Sequence, residues 1–202
     1  VIEKNPEAGL ETSAKNSNVL HSGLHQNPSF LKSNLVVRGQ KLAVEFLTRH
    51  GAPLIKCGMI VAMPKNSGLK IIFEIGAFID LMKRGKEQDV TFEFLGPRGL
   101  KKLEPNIKAF GGIFVPNVWI TNAKTFTTLL KKDAEENGVK FLFNTKICEI
   151  PKEKTIINCA GLYADEIAKM AGFDAPKIYP WRGEYYEIIG EKNPKPQVNH
   201  KW

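Results

Sequence analysis

An α/β fold with some antiparallel strands mixed in is what this sequence predicts, and three observations carry it. Apolar runs of strand length alternate with longer segments of helical periodicity. The connections in the second half of the chain are short, giving a β–α–β order. Glycine, proline and asparagine punctuate the joins, as at Gly51, Pro64, Gly85, Gly96-Pro97 and Asn137-Gly138.

Taken in order, Val1-Ile2 reads as the last residues of a strand, with Asn5-Pro6 and Ala8-Gly9 marking a turn or loop. Residues 31–50 set Leu31, Leu35, Leu42, Phe46 and Leu47 at mostly helical spacing, and Gly51 stops the helix. Residues 57–63 (CGMIVAM) read as a strand ending at Pro64. The length of 69–84 and the Gly85 stop favour a helix, and 91–95 suit a strand before Gly96-Pro97. Ile113-Phe114-Val115 reads as a short strand bounded by Gly111-Gly112 and Pro116. Residues 123–137 form a helix with Phe126, Leu129, Leu130 and Ala134 on one face. Beyond it, 139–143 and 155–159 are apolar strands, 163–171 a helix, and 183–189 (GEYYEII) a strand with aromatic content. There is no internal repeat and no low-complexity segment.

At 202 residues the chain can hold one large domain or two small ones, and 43% apolar residues suffice for a buried core. The net charge of +8 is scattered, with short clusters such as Lys101-Lys102 and Lys131-Lys132. No run of five like charges suggests a basic arm, so the charge favours anionic ligands or solubility, nucleic-acid binding is the weaker third reading, and no nucleic-acid partner is expected. Cys57, Cys148 and Cys159 show no CxxC or Cys/His spacing, so no metal site is expected and buried thiols in a reducing compartment are. The opening residues lack a charged segment followed by an apolar one, so no signal peptide is expected. The apolar stretch near 69–82 carries Glu74 and Asp80 and is too short to span a bilayer. A cytoplasmic location follows as the expectation, with attachment to a membrane surface left open.

Chemistry is first suggested by 155–170, TIINCAGLYADEIAKM. A strand-like run ends in Ala160-Gly161 and a helix follows, with Asp165 early in it where a carboxylate suits the helix dipole. Such a turn lets a backbone approach a phosphate-bearing ligand, or it is simply a strand-to-helix corner. Glu3, at a strand end, can accept hydrogen bonds from a ribose, although a lone acid there is more often just solvent-facing. Residues 12–23, TSAKNSNVLHSG, are rich in short hydroxyl and amide side chains that bond backbone or phosphate oxygens. His21, taken alone, reads as a packed or surface histidine.

Together these stretches carry a resemblance. VIEK, NSNVLHSGLHQNPSFLKS, CGMIVA, LEPN, GGIFVP, NCAGLYAD and PWRGEYYE occur in the order seen in L-2-hydroxyglutarate oxidases and dehydrogenases. Those enzymes belong to the D-amino-acid-oxidase-like class of FAD-dependent oxidoreductases. FAD-dependent glycerol-3-phosphate dehydrogenases share much of the early loop. The resemblance runs almost the whole chain but corresponds to about half of such an enzyme. It implies a partial FAD-binding, Rossmann-like layered sheet with a mixed α+β portion of a substrate domain. Residues 1–56 and 111–172 would be the partial FAD-binding domain, and 57–110 and 173–202 the partial substrate domain.

By the same resemblance FAD is the cofactor. Glu3 would bind the adenosine ribose, and Thr12, Ser13, Asn16, Ser17 and Ser22 would line the flavin and pyrophosphate side. Ala160 and Gly161 would let the backbone approach the cofactor. The implied reaction oxidises a small 2-hydroxy acid to its 2-oxo acid by hydride transfer to flavin. A base must take the hydroxyl proton, and His21 is the candidate. Arg182 would fork onto a substrate carboxylate, with Tyr185 or Tyr186 as a hydroxyl donor; the plainer alternatives are a surface ion pair and alternation on a half-buried strand.

The departures are specific. The family carries a strand and a GxGxxG turn before the segment matching VIEK; these residues begin at Val1 without it. Only ICEIPKEK stands between Lys146 and Thr155, where relatives usually carry an antiparallel meander. Lys15 stands where the relatives have His, Asn18 where they have Gly, His25-Gln26 for a Tyr-Tyr pair, and Trp119 for a Gly. Of these, Asn18 best tolerates a positive φ. Two readings from different classes therefore stand: an FAD-dependent 2-hydroxy acid oxidoreductase, or a non-catalytic remnant or subunit that needs a partner to complete its sheet. A glycerol-3-phosphate dehydrogenase is a further alternative. The electron acceptor, homo-oligomerisation and peripheral membrane contact are left open.

Overall fold

The computed structural model describes residues 1–65, 71–150, 155–184 and 198–199. Among them the elements run β1 (Val19–Leu20), α1 (Leu31–Arg49), β2 (Leu54–Lys56), β3 (Met59–Pro64), α2 (Ile71–Glu87), β4 (Glu93–Leu95), α3 (Pro97–Leu103), β5 (Ala109–Val115), β6 (Trp119–Thr121), α4 (Ala123–Glu136), α5 (Ala164–Met170) and β7 (Val198–Asn199). A single 3-10 turn, Gly161–Tyr163, leads into α5. The chain divides into two compact units: residues 1–16 with 127–191, and residues 17–126 with 192–202. The division falls inside α4, between Phe126 and Thr127.

The 17–126 unit is built on strand alternation. β3 and β5 pair antiparallel, from Met59 opposite Val115 to Met63 opposite Gly111, with β4 on the far side of β5. β7 adds to β3 in parallel. Because successive side chains point to opposite faces, one set of residues (Met59, Ile113 and Val115) packs on Phe78 of α2. The alternate set, Ile60 with partly buried Ala62 and Phe114, packs with Leu100 of α3. Both faces of this sheet are therefore covered, which explains why its strands read as continuous apolar runs. A second sheet, ordered β1-β6-β2, is antiparallel throughout.

Two boundaries differ from the sequence reading. β5 runs through Gly111-Gly112 rather than starting after them. A Cβ at Gly112 would lie 2.5 Å from the Val61 carbonyl oxygen, so the glycine serves close strand approach rather than a turn. β3 starts at Met59 because Cys57 and Gly58 both donate their N–H to the Val118 carbonyl, 3.1 Å each, leaving the ladder there. The obstructing atom at Gly112 is backbone, so Gly112→Ala is expected to destabilise the fold by about 1–3 kcal/mol. An unchanged midpoint in denaturant unfolding would contradict that.

The other unit holds a parallel pairing of the amino terminus with residues 140–145. Ile2 bridges Leu142 in parallel, and the Glu3 N–H donates to the Leu142 carbonyl at 2.8 Å. Residues 139–143 thus make this pairing without becoming a full strand. The predicted strand at 155–159 does not form: these residues have no regular structure and no ladder among the described residues, and Ile157 is 84% exposed. A strand needs a neighbour for its N–H and C=O groups, and no described segment supplies one. Of the predicted strand at 183–189, Gly183 and Glu184 have no regular structure and the rest lies outside the described residues.

Candidate functional site

In the 1–16 and 127–191 unit, the parallel pairing fixes Glu3. Leu142 N–H donates to the Val1 carbonyl at 2.8 Å, Thr145 N–H to the Glu3 carbonyl at 3.0 Å and Asn144 N–H to the Asn5 carbonyl at 3.0 Å. The half-buried Glu3 carboxylate is oriented through one oxygen, Oε1, which accepts from the Asn5 N–H at 2.8 Å and Asn5 Nδ2 at 2.9 Å. Oε2 takes no hydrogen bond from the described residues. The second oxygen is left able to accept a hydrogen bond, as an acid at a strand end does from a ribose in dinucleotide folds.

The turn at Ala160-Gly161 is pinned by a residue the sequence reading passed over. Asn158 Oδ1 accepts from the Ala160 N–H at 3.2 Å, and Asn158 Nδ2 donates to the Ala164 carbonyl at 2.8 Å. Tyr163 N–H closes the turn on the Ala160 carbonyl at 3.0 Å. Gly161 lies at φ +57, and among the described residues no heavy atom beyond its chain neighbours stands within 4 Å of where its Cβ would be. The turn is bent into the left-handed region, yet its outer side is open. Asp165 serves structure: its carboxylate accepts from the Ile178 N–H at 2.9 Å and the Glu166 N–H at 3.0 Å, and those bonds hold it below the usual carboxylate range.

The 11–16 segment is a tight turn in which Ala14 N–H donates to the Glu11 carbonyl at 3.1 Å and Asn16 Nδ2 to the Ser13 carbonyl at 2.8 Å. Thr12, Ser13 and Asn16 are exposed. Lys4 brings three of these pieces together. Its Nζ is 2.7 Å from Glu11 Oε1 and 3.6 Å from the centre of the Tyr163 ring.

Ser17, His21 and Ser22 belong to the 17–126 unit. Ser17 precedes Asn18, whose φ of +58 lies in the left-handed region that Asn tolerates better than most residues. Asn18 Oδ1 also accepts from the Ala123 N–H at 3.0 Å, capping α4. His21 keeps solvent access, and loss of hydration, then the Lys32 charge, push its pKa below the ordinary 6.5. Ser22 is buried, with its Oγ 3.5 Å from the Leu24 N–H. His25 stands beside this pair: its Nε2 is buried with no hydrogen-bond partner among the described residues, and its pKa too is pushed down, by burial first and then by His21. Trp119 fits without strain in the middle strand of the smaller sheet, opposite Leu20 and Lys56, with Lys56 Nζ 5.5 Å from its ring.

Arg182 is exposed and makes no hydrogen bond or ion pair among the described residues, and Trp181 beside it is 97% exposed. Tyr185 and Tyr186 lie outside the described residues. A hollow of about 300 Å³ lined by Lys65, Lys101, Asn106, Ile107 and Lys108 contains none of the predicted site residues. Among the described residues no three His, Cys, Asp or Glu side chains gather as a metal site would need. No described helix is long and apolar enough to cross a membrane.

Sequence reasoning missed Asn158, the Lys4–Tyr163 contact and the orphaned His25 nitrogen. An Asn two residues before Ala160-Gly161 is a turn-forming signal that could have found the first. The Lys4–Tyr163 contact joins residues with no local pattern between them, and burial of one His25 nitrogen follows from packing that no local pattern announces.

A short parallel pairing that orients the Glu3 carboxylate, with an open positive-φ glycine turn in the same unit, agrees with the Rossmann-like, dinucleotide-binding class that the resemblance implies. Residues 1–201 match the family described as FAD dependent oxidoreductase, and the chain belongs to that family. It is 27% identical to the L-2-hydroxyglutarate dehydrogenase of Escherichia coli strain K12 over 99% of this chain and 50% of that protein. It is 28% identical to the mitochondrial L-2-hydroxyglutarate dehydrogenase of Mus musculus over 95% of this chain and 46% of that protein. The chain thus spans about half the length of the curated relatives it matches. The fold is also that of the L-alpha-glycerophosphate oxidase of Mycoplasma pneumoniae, solved with FAD bound (TM-score 0.73, 24% identity, 86% of this chain and 50% of that one). Glycine oxidase from Geobacillus kaustophilus shares the fold as well (TM-score 0.64, 15% identity, 86% of this chain and 51% of that one). FAD is therefore the cofactor of the family to which this chain belongs, and the free Glu3 oxygen and the open Gly161 turn fit its ribose and phosphates.

Proposed function

We propose that the chain is part of an FAD-dependent oxidoreductase that oxidises a small 2-hydroxy acid, resembling L-2-hydroxyglutarate, to the 2-oxo acid. In this reading residues 1–56 and 111–172 carry the cofactor, and 57–110 and 173–202 the substrate. The relatives matched along 95–99% of the chain, which bear the name L-2-hydroxyglutarate dehydrogenase, support the substrate class. The Glu3 and Gly161 arrangement supports the cofactor role. FAD, when bound, supplies a hydride acceptor. Glu3 Oε2 would accept from the ribose, and the Ala160-Gly161 turn, with no side chain at Gly161, would admit the pyrophosphate. Thr12, Ser13, Asn16, Ser17 and Ser22 offer short hydroxyls and amides to the cofactor. His21, neutral because its pKa is depressed, takes the hydroxyl proton as the Cα–H departs as hydride. Arg182, unpaired among the described residues, forks onto the substrate carboxylate, and Tyr185 donates its hydroxyl.

The test is direct. The purified protein is expected to be yellow, with a flavin band that survives gel filtration, and to bleach anaerobically on adding L-2-hydroxyglutarate. Bleaching by glycerol 3-phosphate alone would overturn the substrate assignment. A colourless protein that takes up no FAD would favour the second reading, a non-catalytic part that needs a partner. The exposed Ile157, Phe173, Tyr179 and Trp181 are the observation on that side.

A further inference from the structure

We propose that Lys4 is a positioning residue of the cofactor site: it staples the strand end that carries Glu3 to the turn that carries Ala160 and Gly161. This rests on the reading that the unit binds FAD and deepens it. The two segments are more than 150 residues apart in the chain, and the Lys4 side chain joins them. Its Nζ sits 3.6 Å from the centre of the Tyr163 ring while Glu11 Oε1 holds the same ammonium from 2.7 Å. Tyr163 in turn closes the 3-10 turn through its N–H on the Ala160 carbonyl, so a force on its ring reaches Gly161 through the backbone. The backbone pairing with 140–145 fixes Lys4 from the other side, since its neighbours Glu3 and Asn5 are both bonded there. Glu11 heads the turn containing Thr12 and Ser13. One cation therefore sets three candidate cofactor segments against each other.

The chemistry calls for a cation at this position. A point charge on a flexible stem can sit over a ring face and meet a carboxylate at once. Glu11 is the first cause that holds the Lys4 ammonium charged, above its ordinary pKa. The Lys4 and Glu11 side chains are 34% and 42% exposed, so each contact is modest and their sum shows in how the turn is placed rather than in whether the unit folds. Asn158 pins the turn locally, and Lys4 ties it to the strand end.

The experiment compares wild type, Lys4→Met, Lys4→Arg, Tyr163→Leu and Tyr163→Phe, all as full chains. FAD affinity is read by flavin fluorescence, and amide exchange is read on the apo protein. Lys4→Met and Tyr163→Leu are each expected to weaken FAD binding roughly tenfold, and the double variant no further. Lys4→Arg, which keeps the cation, is expected to stay close to wild type, and Tyr163→Phe, which keeps the ring but loses the hydroxyl that also meets Lys4, to fall between wild type and Tyr163→Leu. In the apo protein, Lys4→Met should speed exchange at Tyr163 while Glu3 and Leu142 stay protected. Additive losses would mean that Lys4 meets the cofactor directly, and would overturn the proposal. Unchanged exchange at Tyr163, or equal loosening at Glu3 and Leu142, would overturn it too. A wild type that binds no FAD would instead sink the function reading, and the exchange result would still decide whether Lys4 holds the turn.

Discussion

Replacing His21 by alanine is expected to slow flavin reduction by L-2-hydroxyglutarate by roughly 10²–10⁴-fold, while FAD is held nearly as tightly as before. The proton on a 2-hydroxyl must leave as the hydride does, and a methyl group in place of an imidazole leaves it no acceptor. His21 suits the task because lost hydration and the Lys32 charge keep its ring neutral below the ordinary value of 6.5. The acid limb of the rate profile should accordingly fall below pH 6.5. Equal losses in flavin binding and in reduction would remove the base role and leave His21 a packing residue. The same depression has a consequence for folding. Below 6.5 the unfolded chain binds more protons at His21 and His25 than the folded one, so their contribution is fully present above 6.5. It is lost as pH falls through the lower folded-state values. Unfolding midpoints measured on either side of that window should therefore rise with pH, and replacing both histidines with glutamine should flatten the rise.

How much of this could be read from the residues depends on where each signal lives. α1 and α4 were legible because helical spacing and a Gly or Asn-Gly stop are local features, and both helices end within a residue of the predicted stop. The sheet of β3 and β5 was legible as apolar runs, but its register was not. Gly111-Gly112 look like punctuation in one dimension and prove to be a close strand crossing in three. The segment 155–159 shows the opposite failure. Its apolar content suits a strand, but a strand is a property of two segments, and among the described residues the second is missing. The candidate site divides in the same way. Glu3 at a strand end and Ala160-Gly161 at a turn were visible as local types. What orients them, Asn5 on one carboxylate oxygen, Asn158 across the turn and Lys4 over Tyr163, comes from contacts, and two of those three span only a few residues.

Gly161 offers the sharper test of the cofactor site, because two causes for a glycine can be separated there. At φ +57 an L residue pays strain of about 1–2 kcal/mol, and asparagine less than alanine. Sterically the apo turn would accept either, since among the described residues no heavy atom beyond its chain neighbours lies within 4 Å of the Cβ position. If backbone conformation were the whole reason for glycine, Gly161→Asn should bind FAD almost as well as wild type, with Gly161→Ala weaker. If the cofactor's pyrophosphate comes up against this turn, a side chain of any kind occupies the approach. Both variants should then lose FAD by well over tenfold while their unfolding midpoints separate according to φ strain alone. The second pattern is the expected one. It rests on the FAD of the family and not on the open space itself, which the positive-φ glycines Gly51, Gly138 and Gly172 share. Recovery of FAD binding in Gly161→Asn would return the turn to a plain corner, and with it would go the physical basis for placing the cofactor beside Glu3.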